Sequence, residues 1–240
     1  MTRPRWSVVV PAFNEARRLP RYLEEIVAYF DARAEPYEVI VVDDGSSDDT
    51  VAAVEALACR HPVIRVVRLP SNEGKGAAVR SGMLAAEGAY RLFADADGAT
   101  PISELPRLEA ALTRGADIAI GSRAVSEPGV AVVARPHRVA AGRVFSWMVS
   151  RIGVRGVADS QCGFKAFTAK AADHLFARLV TRGFGFDVEL LLRAQAEGYR
   201  VDEIPVNWSD QADSKVGVLR DGPRMVAEIL RARLDLARRS

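Results

Sequence analysis

The chain has 240 residues, of which 49% are hydrophobic and 27% are charged. This globular composition excludes disordered, collagen-like and low-complexity proteins. Its two cysteines cannot build a disulfide framework or a cysteine-based metal site, and they weakly indicate a reducing compartment. The net charge of +2 excludes a polycation that binds nucleic acid through bulk charge. Because no segment resembles a linker, we expect residues 1–240 to form one domain.

The apolar runs of the sequence fall well short of the roughly 20 residues that a membrane-spanning helix needs. Residues 1–6 also lack the apolar stretch of a signal peptide. We therefore expect a cytoplasmic protein whose contact with a membrane, if it has one, is peripheral and on the cytoplasmic face.

Short apolar runs alternate with helical patterns in the first half of the chain. Strands are predicted at residues 7–11, 38–43, 63–67, 90–94 and 117–121, and helices at residues 15–34, 51–59, 74–86 and 102–112. This alternation predicts βαβ units and an α/β fold with a mostly parallel central sheet. Because the strand segments are apolar on both faces, helices should cover both sides of the sheet.

The second half of the chain is less regular. Helices are predicted at residues 139–152, 169–179, 187–197 and 223–239, and strands at residues 161–167 and 199–206. Residues 129–158 contain five arginines and no acidic residue, whereas most acidic residues lie in the first half. This asymmetry indicates two ligands of different charge, or one ligand and one surface.

Acidic and polar side chains follow three of the predicted strands, where ligands of open α/β sheets bind. Asn14-Glu15 follows the first strand, Asp43-Asp44 closes the second, and Asp95-Ala96-Asp97 follows the fourth. An Asp-x-Asp sequence alone occurs by chance, but its position after a buried strand gives it weight. Two such carboxylates suit one hard cation, Mg²⁺ or Mn²⁺, which substrate phosphates complete.

Two other features have both a structural and a functional interpretation. Asp43-Asp44 would form a turn or a helix cap, or would bind the ribose or base of a nucleotide. Gly74-Lys75-Gly76 would begin a helix, or would contact a base or a phosphate at the helix N-terminus. The chain has no P-loop sequence and no Gly-x-Gly-x-x-Gly after the first strand, so dinucleotide binding is not expected.

Four segments, in this order, resemble the signature series of glycosyltransferase family 2. They are residues 8–15 (VVVPAFNE), 41–46 (VVDDGS), 72–76 (NEGKG) and 94–97 (ADAD). Residues 159–167 (DSQCGFKAF), 186–190 (FDVEL), 203–208 (EIPVNW) and 214–216 (SKV) resemble the acceptor-side motifs of polyprenyl-phosphate sugar synthases. Because Gly98-Ala99-Thr100 follows Asp97, the nearest resemblance is to the dolichyl-phosphate β-glucosyltransferase branch. The resemblance covers about residues 6–216.

This resemblance implies the GT-A fold, with a nucleotide-sugar-binding half (about residues 6–123), an acceptor half (124–216) and a C-terminal basic amphipathic helix (217–240). It implies a metal-dependent, inverting hexosyl transfer, with UDP-glucose as the favoured donor and a polyprenyl or dolichyl phosphate as the acceptor. Asp95 and Asp97 would hold Mg²⁺ or Mn²⁺, and Asp97, Asp159 and Arg123 would be catalytic. The nucleotide-sugar-binding positions would be Pro11, Ala12, Asn14, Glu15, Asp43, Asp44, Lys75, Asp95, Ala96 and Asp97.

The nature of the acceptor decides which residues the reaction needs. A phosphate monoester carries nearly two charges at neutral pH, so it needs cations rather than a general base. The candidate contacts for an acceptor phosphate are Arg123, Arg135, Arg138 and Lys215. Arg123 could instead form a surface ion pair, and Gln161 and Lys165 are interpreted as structural.

Two alternatives to a lipid phosphate acceptor remain. A soluble hydroxyl acceptor would need a general base, for which Asp159 is the candidate. A non-catalytic nucleotide-sugar-binding protein would bind without turnover, and the complete acidic rim argues against it.

Two predicted helices carry arginines beside large apolar side chains. One covers residues 139–152 and is preceded by Arg138, and the other covers residues 223–239 with Leu230 and Leu234. Helices of this kind either lie in a membrane interface or turn their apolar stripe toward the core. The sequence leaves both possibilities open.

Overall fold

The computed structural model describes residues 3–135, 149, 151–211 and 218–239. The strands are β1 (Trp6–Ala12), β2 (Tyr37–Asp43), β3 (Ile64–Arg68), β4 (Tyr90–Ala94), β5 (Ile118–Ser122), β6 (Val132–Val133), β7 (Phe164–Thr168), β8 (Val201–Pro205) and β9 (Trp208–Ser209). The helices are α1 (Leu19–Arg33), α2 (Thr50–Arg60), α3 (Lys75–Ala85), α4 (Leu105–Thr113), α5 (Ala169–Arg178), α6 (Phe186–Ala196) and α7 (Val218–Arg239), and a short 3₁₀ helix covers Ile102–Glu104.

Seven of the described strands form one sheet in the order β3-β2-β1-β4-β7-β5-β8. The pairs β3-β2, β2-β1, β1-β4 and β5-β8 are parallel, whereas β7 runs antiparallel to both of its neighbours. The α/β class and the mostly parallel sheet predicted from the sequence are therefore confirmed. The reversed β7 begins at the edge where the parallel strands end, which brings the residues before Phe164 to that edge.

Helices cover both faces of the sheet because alternate strand residues point to opposite sides. Val8 and Val10 of β1 belong to one apolar layer, which α1, α2 and α4 complete. Val9 of the same strand belongs to the other layer, which α3, α5, α6 and α7 complete. This confirms the prediction, made from strands that are apolar on both faces, that helices cover both sides of the sheet.

The boundaries of several elements differ from the predicted ones. Helix α1 begins at Leu19 rather than at residue 15, because residues 15–18 form a turn and Pro20 occupies the first helical turn. Helix α7 begins at Val218, five residues before the predicted start at 223. The two-residue strands β6 and β9, which pair with each other, were not predicted. The predicted helix at 139–152 falls mostly outside the described residues.

Helix α7 packs one side on the core and exposes the other. Met225, Ile229 and Ala232 are buried, whereas Leu230 and Leu234 are 49% and 59% exposed. In the described part of the chain, no helix has the length and apolar character needed to cross a membrane.

Candidate active site

The candidate active site lies at the edge of the sheet where β1, β2 and β4 end. These strands are parallel and in register, so the residues that follow them lie side by side. Residues 159–163 reach the same edge from the opposite direction, because Phe164 of β7 pairs with Ala94 of β4. The fold thus brings together the acidic strand ends that the sequence predicts to be one site.

Asp95 and Asp97 follow β4 directly, and Ala96 between them is buried. The Asp95 backbone N–H donates to the carbonyl of Gly163 at 2.9 Å. A Cβ on Gly163 would lie 1.9 Å from Oδ2 of Asp95, so a larger residue there would displace the carboxylate. Asp97 accepts a hydrogen bond from the Ala99 N–H at 3.1 Å, which turns the chain back.

The negative charges of Asp95 and Asp97 repel each other. Burial raises the pKa of Asp97, and the negative charge of Asp95 raises it further. Tyr22 packs beneath them and donates from its hydroxyl to the Thr100 carbonyl at 3.2 Å. Burial also raises the pKa of Tyr22, and the charges of Asp95 and Asp97 add to this effect.

Lys75, at the N-terminus of α3, places a positive charge against Asp95 of this pair. Its Nζ lies 2.7 Å from Oδ1 of Asp95 and 5.3 Å from the centre of the Phe93 ring. Phe184 approaches the same ammonium group at 5.9 Å. Burial alone would lower the pKa of Lys75, but Asp95 and Asp187 outweigh it and raise the pKa, so the side chain stays charged.

A second, fully buried ion pair lies beneath Lys75. The Lys165 Nζ contacts Oδ1 of Asp187 at 2.5 Å and the Cys162 carbonyl at 2.6 Å. Lys165 is 0% exposed and Asp187 is 3% exposed. This pair joins β7 to the first turn of α6, which agrees with the structural interpretation of Lys165.

Asp44 links the end of β2 to the loop that precedes Lys75. Its carboxylate accepts backbone N–H groups from Glu73 at 2.7 Å and from Gly74 at 3.0 Å. Burial raises the pKa of Asp44, and these two hydrogen bonds oppose the rise. Asp43 accepts the Ser46 N–H at 3.2 Å, so both carboxylates shape the loops at this edge.

Asn14 and Glu15 also act on neighbouring loops. Asn14 has a positive φ of 54°, and its side-chain oxygen accepts the Ser47 N–H at 2.8 Å. The Glu15 carboxylate accepts two hydrogen bonds from Arg18, at 2.6 and 2.8 Å. Pro11 and Ala12 are buried at the end of β1, where they pair with Val42 and Asp43 of β2. The backbone and loops of this edge therefore form a fixed frame around Asp95, Asp97 and Lys75.

Arg123, directly after β5, forms a close pair with Asp159. Its Nε and Nη2 lie 2.7 Å from the two carboxylate oxygens, and its backbone N–H donates to Oδ2 at 3.0 Å. Burial alone would raise the pKa of Asp159, but the hydrogen bonds and charge of Arg123 outweigh it and lower the pKa. The guanidinium also stacks over the Trp208 ring at 5.3 Å.

The other candidate phosphate contacts are less closely placed. Arg135 is 60% exposed and pairs with Asp210 at 3.2 Å, beside the small sheet of β6 and β9. That sheet is joined to the aspartate turn, since the Ser209 N–H donates to the Ala99 carbonyl at 2.9 Å. Arg138 and Lys215 lie outside the described residues.

Several residues of the site were not singled out by sequence reasoning. Gly163 lies inside the DSQCGF motif, and a glycine at such a position can indicate a close approach of the backbone, here to Asp95. Tyr22 and Phe184 have no such signal, because each reaches the site from an element distant in sequence. Arg18 contacts its near neighbour Glu15 and was also not singled out.

The donor set at this edge fits a hard divalent cation. Among the described residues, no group of three or more His, Cys, Asp or Glu side chains could enclose a metal by itself. However, Mg²⁺ and Mn²⁺ sites for phosphate chemistry often use one or two carboxylates and leave the remaining positions to water and substrate phosphates. The Asp95-Asp97 pair provides such a partial set, and its mutual repulsion would be relieved by a cation.

Comparison with known proteins gives consistent matches. The family described as "Glycosyl transferase family 2" matches residues 7–176. Proteins named dolichyl-phosphate beta-glucosyltransferase from Drosophila melanogaster and Homo sapiens are 41% and 40% identical over 223 residues, which is 88% of this chain. The matched part spans 68% and 69% of those relatives. A relative of that name from Trichomonas vaginalis is 41% identical over 88% of this chain and 66% of its own length.

Solved structures match over most of the chain. Glucosyl-3-phosphoglycerate synthase from Mycobacterium tuberculosis, crystallised with Mn²⁺ and UDP-glucose, has a TM-score of 0.72 at 23% identity. The match covers 96% of this chain and 79% of that one. The GT-A fold expected from the sequence is thereby confirmed.

Proposed function

Since the chain belongs to glycosyltransferase family 2, we propose that it moves glucose from UDP-glucose onto a polyprenyl phosphate such as dolichyl phosphate, with inversion at the anomeric carbon. The predicted class of enzyme, a hexosyltransferase, is confirmed by the family match and by the named relatives. The donor, the acceptor, the metal and the stereochemistry are our proposal.

The observation that carries this proposal is the pair of charged centres that meet at one edge of the sheet. Asp95, Asp97 and Lys75 lie at the end of β4, and Arg123 lies at the end of β5. Residues 159–163 join the two centres, because Gly163 packs on Asp95 and Asp159 binds Arg123. An anionic donor and an anionic acceptor would each find a cationic partner there.

In the proposed reaction, an oxygen of the acceptor phosphate attacks the anomeric carbon, and the bond from that carbon to the nucleoside diphosphate breaks. Asp95 and Asp97 would hold a Mg²⁺ or Mn²⁺ ion, which supplies charge stabilisation for the departing diphosphate. Lys75 would keep Asp95 in place and add positive charge near the leaving group. Arg123 would orient the incoming phosphate through the edge of its guanidinium that Asp159 does not occupy.

The state of Asp159 favours a phosphate acceptor over a hydroxyl acceptor. A general base works best when its pKa lies near the operating pH. The pKa of Asp159 is lowered, and both of its oxygens accept hydrogen bonds from Arg123. A phosphate nucleophile is already ionised at neutral pH and needs no such base.

The exposed side of α7 suits the proposed lipid acceptor. Leu230 and Leu234 are separated by four residues and so lie on one side of the helix, opposite the buried Ile229 and Ala232. Arg231 and Arg233 are exposed beside them. Apolar side chains flanked by arginines are typical of helices that lie on an anionic membrane surface, and such docking would bring the site to its substrate.

A partition assay tests the proposed reaction. Purified protein with Mn²⁺ or Mg²⁺ and radiolabelled UDP- or GDP-sugars is incubated with and without membrane lipid extract, and the products are partitioned into organic solvent. We expect label from UDP-glucose to enter the organic phase only with extract. Label that stays in water while UDP is released would contradict the lipid acceptor and favour a soluble one.

Vesicle sedimentation tests the membrane surface separately. The Leu230→Gln/Leu234→Gln variant should bind vesicles of phosphatidylglycerol and phosphatidylcholine at least tenfold more weakly than the unaltered protein, as expected when two exposed leucines that would insert into the membrane are lost. Leu84→Gln, which changes a leucine that is 39% exposed on α3, is the matched control. Equal binding by both variants would exclude α7 as the docking surface.

A further inference from the structure

The loop between α5 and α6, residues 179–185, packs directly on the N-terminus of α3. The Ala77 N–H donates to the Arg182 carbonyl at 3.1 Å. A Cβ on Gly74 would lie 2.5 Å from that carbonyl oxygen, and a Cβ on Gly76 would lie 2.5 Å from the carbonyl oxygen of Thr181. The two backbones therefore touch without side chains between them, on both sides of Lys75.

The same loop is held from its other side by Glu228 of α7. The Gly185 N–H donates to Oε2 of Glu228 at 3.1 Å. A Cβ on Gly183 would lie 2.3 Å from Oε1 of Glu228, so the carboxylate sits against the glycine backbone. The side chain of Glu228 is only 13% exposed, although its other partner, Arg224, is 77% exposed.

The loop carries Phe184, which connects it to the charged centre of the site. Its ring lies 5.9 Å from the Lys75 Nζ, which in turn lies 2.7 Å from Asp95. Arg182 also pairs with Glu73, two residues before Lys75, at 3.2 Å. A displacement of this loop would therefore change the contact between Phe184 and the Lys75 ammonium group.

Helix α7 has other anchors that do not involve the contact to Gly185. Ile229 and Ala232 are buried, and Asp235 accepts a hydrogen bond from Arg193 of α6 at 2.8 Å. Loss of the Glu228 carboxylate would leave these anchors in place. The effect of Glu228 on the loop can thus be separated from the docking of the helix.

We propose that Glu228 is a positioning residue for the donor: it holds residues 183–185 so that Phe184 and the Arg182 backbone keep Lys75 against Asp95. The inference rests on the proposed function, in which Lys75 contributes to binding the nucleoside diphosphate. The C-terminal helix then acts on the donor through a contact with the loop and not through contact with the ligand.

Titration calorimetry of the full chain with UDP and MnCl₂ tests this role. Glu228→Ala should raise the Kd for UDP about tenfold, because the site is no longer preorganised. Glu228→Gln retains an acceptor oxygen for the Gly185 N–H and should restore the Kd to within about twofold. In steady-state assays, Glu228→Ala should raise the KM for the donor while kcat changes less.

One control variant and one second disrupting variant separate positioning from a general loss of structure. Asp235→Ala removes the polar anchor to Arg193 and should leave the Kd for UDP unchanged. Gly183→Ala pushes a Cβ against the Glu228 carboxylate and should weaken UDP binding as Glu228→Ala does. It serves as the second variant if Glu228→Ala does not fold.

The outcomes distinguish this inference from the proposed function. If the unaltered protein does not bind UDP, the proposed function is wrong. If it binds UDP and both Glu228→Ala and Gly183→Ala bind equally well, the positioning role is wrong. If Asp235→Ala weakens binding as much as Glu228→Ala, the effect belongs to the docking of α7, and the positioning role is also wrong.

Discussion

Two lysine–aspartate pairs lie next to the same phenylalanine and differ in their access to solvent. The ammonium groups of Lys75 and Lys165 are 5.3 and 5.7 Å from the Phe93 ring centre. In the outer pair, the side chains of Lys75 and Asp95 are 21% and 32% exposed. In the inner pair, the side chains of Lys165 and Asp187 are 0% and 4% exposed.

In the proposed function the outer pair contributes to ligand binding and the inner pair is structural, so access to solvent, and not residue chemistry, distinguishes them. The outer charges border the edge where substrate would arrive, so they can exchange partners. The inner charges are desolvated and depend on each other. Burial raises the pKa of Asp187, and the charges of Lys165 and Lys75 oppose that rise.

The largest effect on turnover is expected at Asp97, beside the outer pair. Asp97→Ala should reduce turnover at least a thousandfold, since it removes half of the carboxylate pair that would hold the cation and so the positive charge that would stabilise the leaving group. Initial rates with UDP-glucose and lipid extract measure the loss, and circular dichroism checks the fold. The control is Asp49→Ala, which changes an exposed aspartate at the start of α2. Normal activity of Asp97→Ala would refute the metal assignment.

Substitutions in the inner pair should change the free energy of unfolding. Lys165→Met leaves Asp187 buried without its partner and should lower the free energy of unfolding by about 3–5 kcal/mol. The double variant Lys165→Met/Asp187→Leu should recover most of that loss, because no unpaired charge remains. Urea denaturation of the two variants measures both values. A double variant as unstable as the single one would show that the pair is not what stabilises this contact.

Lys75→Met sharpens the contrast with Lys165→Met. We expect turnover to fall about 10- to 100-fold, because a positive charge near the leaving group is lost. The free energy of unfolding should change by no more than about 1 kcal/mol, since the pair is partly exposed. Parallel measurement of rates and urea midpoints gives both numbers. If Lys75→Met were as destabilising as Lys165→Met, the distinction between the outer and inner pairs would fail.

The smallest effect on turnover is expected at a third pair, Arg123–Asp159, whose side chains are 32% and 8% exposed. Because folding lowers the pKa of Asp159, its stabilisation is present above the unfolded value of about 3.9 and is lost as the pH falls through the folded pKa. Asp159→Asn should therefore cost about 1–2 kcal/mol at pH 7 and progressively less below pH 4.

Activity measurements on the same variant address the alternative acceptor. If Asp159 only orients Arg123, Asp159→Asn should retain turnover within about tenfold of the unaltered protein. A general base would contribute about 10²- to 10⁴-fold. A loss of that size, with an acidic limb of the pH–rate profile that disappears in the variant, would favour the hydroxyl acceptor.

The parallel part of the fold and the acidic edge could be predicted because both depend on local sequence. Each βαβ unit has its own apolar periodicity, Asp44 and Asp95 follow strands directly, and Asn14 lies two residues after β1. The family and the class of enzyme, predicted from the motifs at these same strand ends, are confirmed.

The remaining features depend on contacts between distant parts of the chain. The direction of β7 follows from its pairing with β4 and β5, which no property of residues 164–168 reveals. Arg182 contacts Glu73 across 109 residues, and Gly185 contacts Glu228 across 43. The burial that distinguishes Lys165 from Lys75 is likewise set by helices that are remote in sequence. Individual residue roles at the site therefore stay predictions.

The reversed strand β7 also constrains the order in which the protein forms. Strands β4 and β5 are neighbours along the chain, but β7, some 70 residues after β4, separates them in the sheet. A growing polypeptide that has not yet reached Thr168 holds the four strands β3-β2-β1-β4 and the single strand β5, whose partners β7 and β8 both come later in the chain. Insertion of β7 joins β5 to the other strands and delivers Asp159 and Gly163 in the same event. Such non-local pairing is slow, so partly synthesised chains should be vulnerable to aggregation until β7 is in place and the candidate active site is complete.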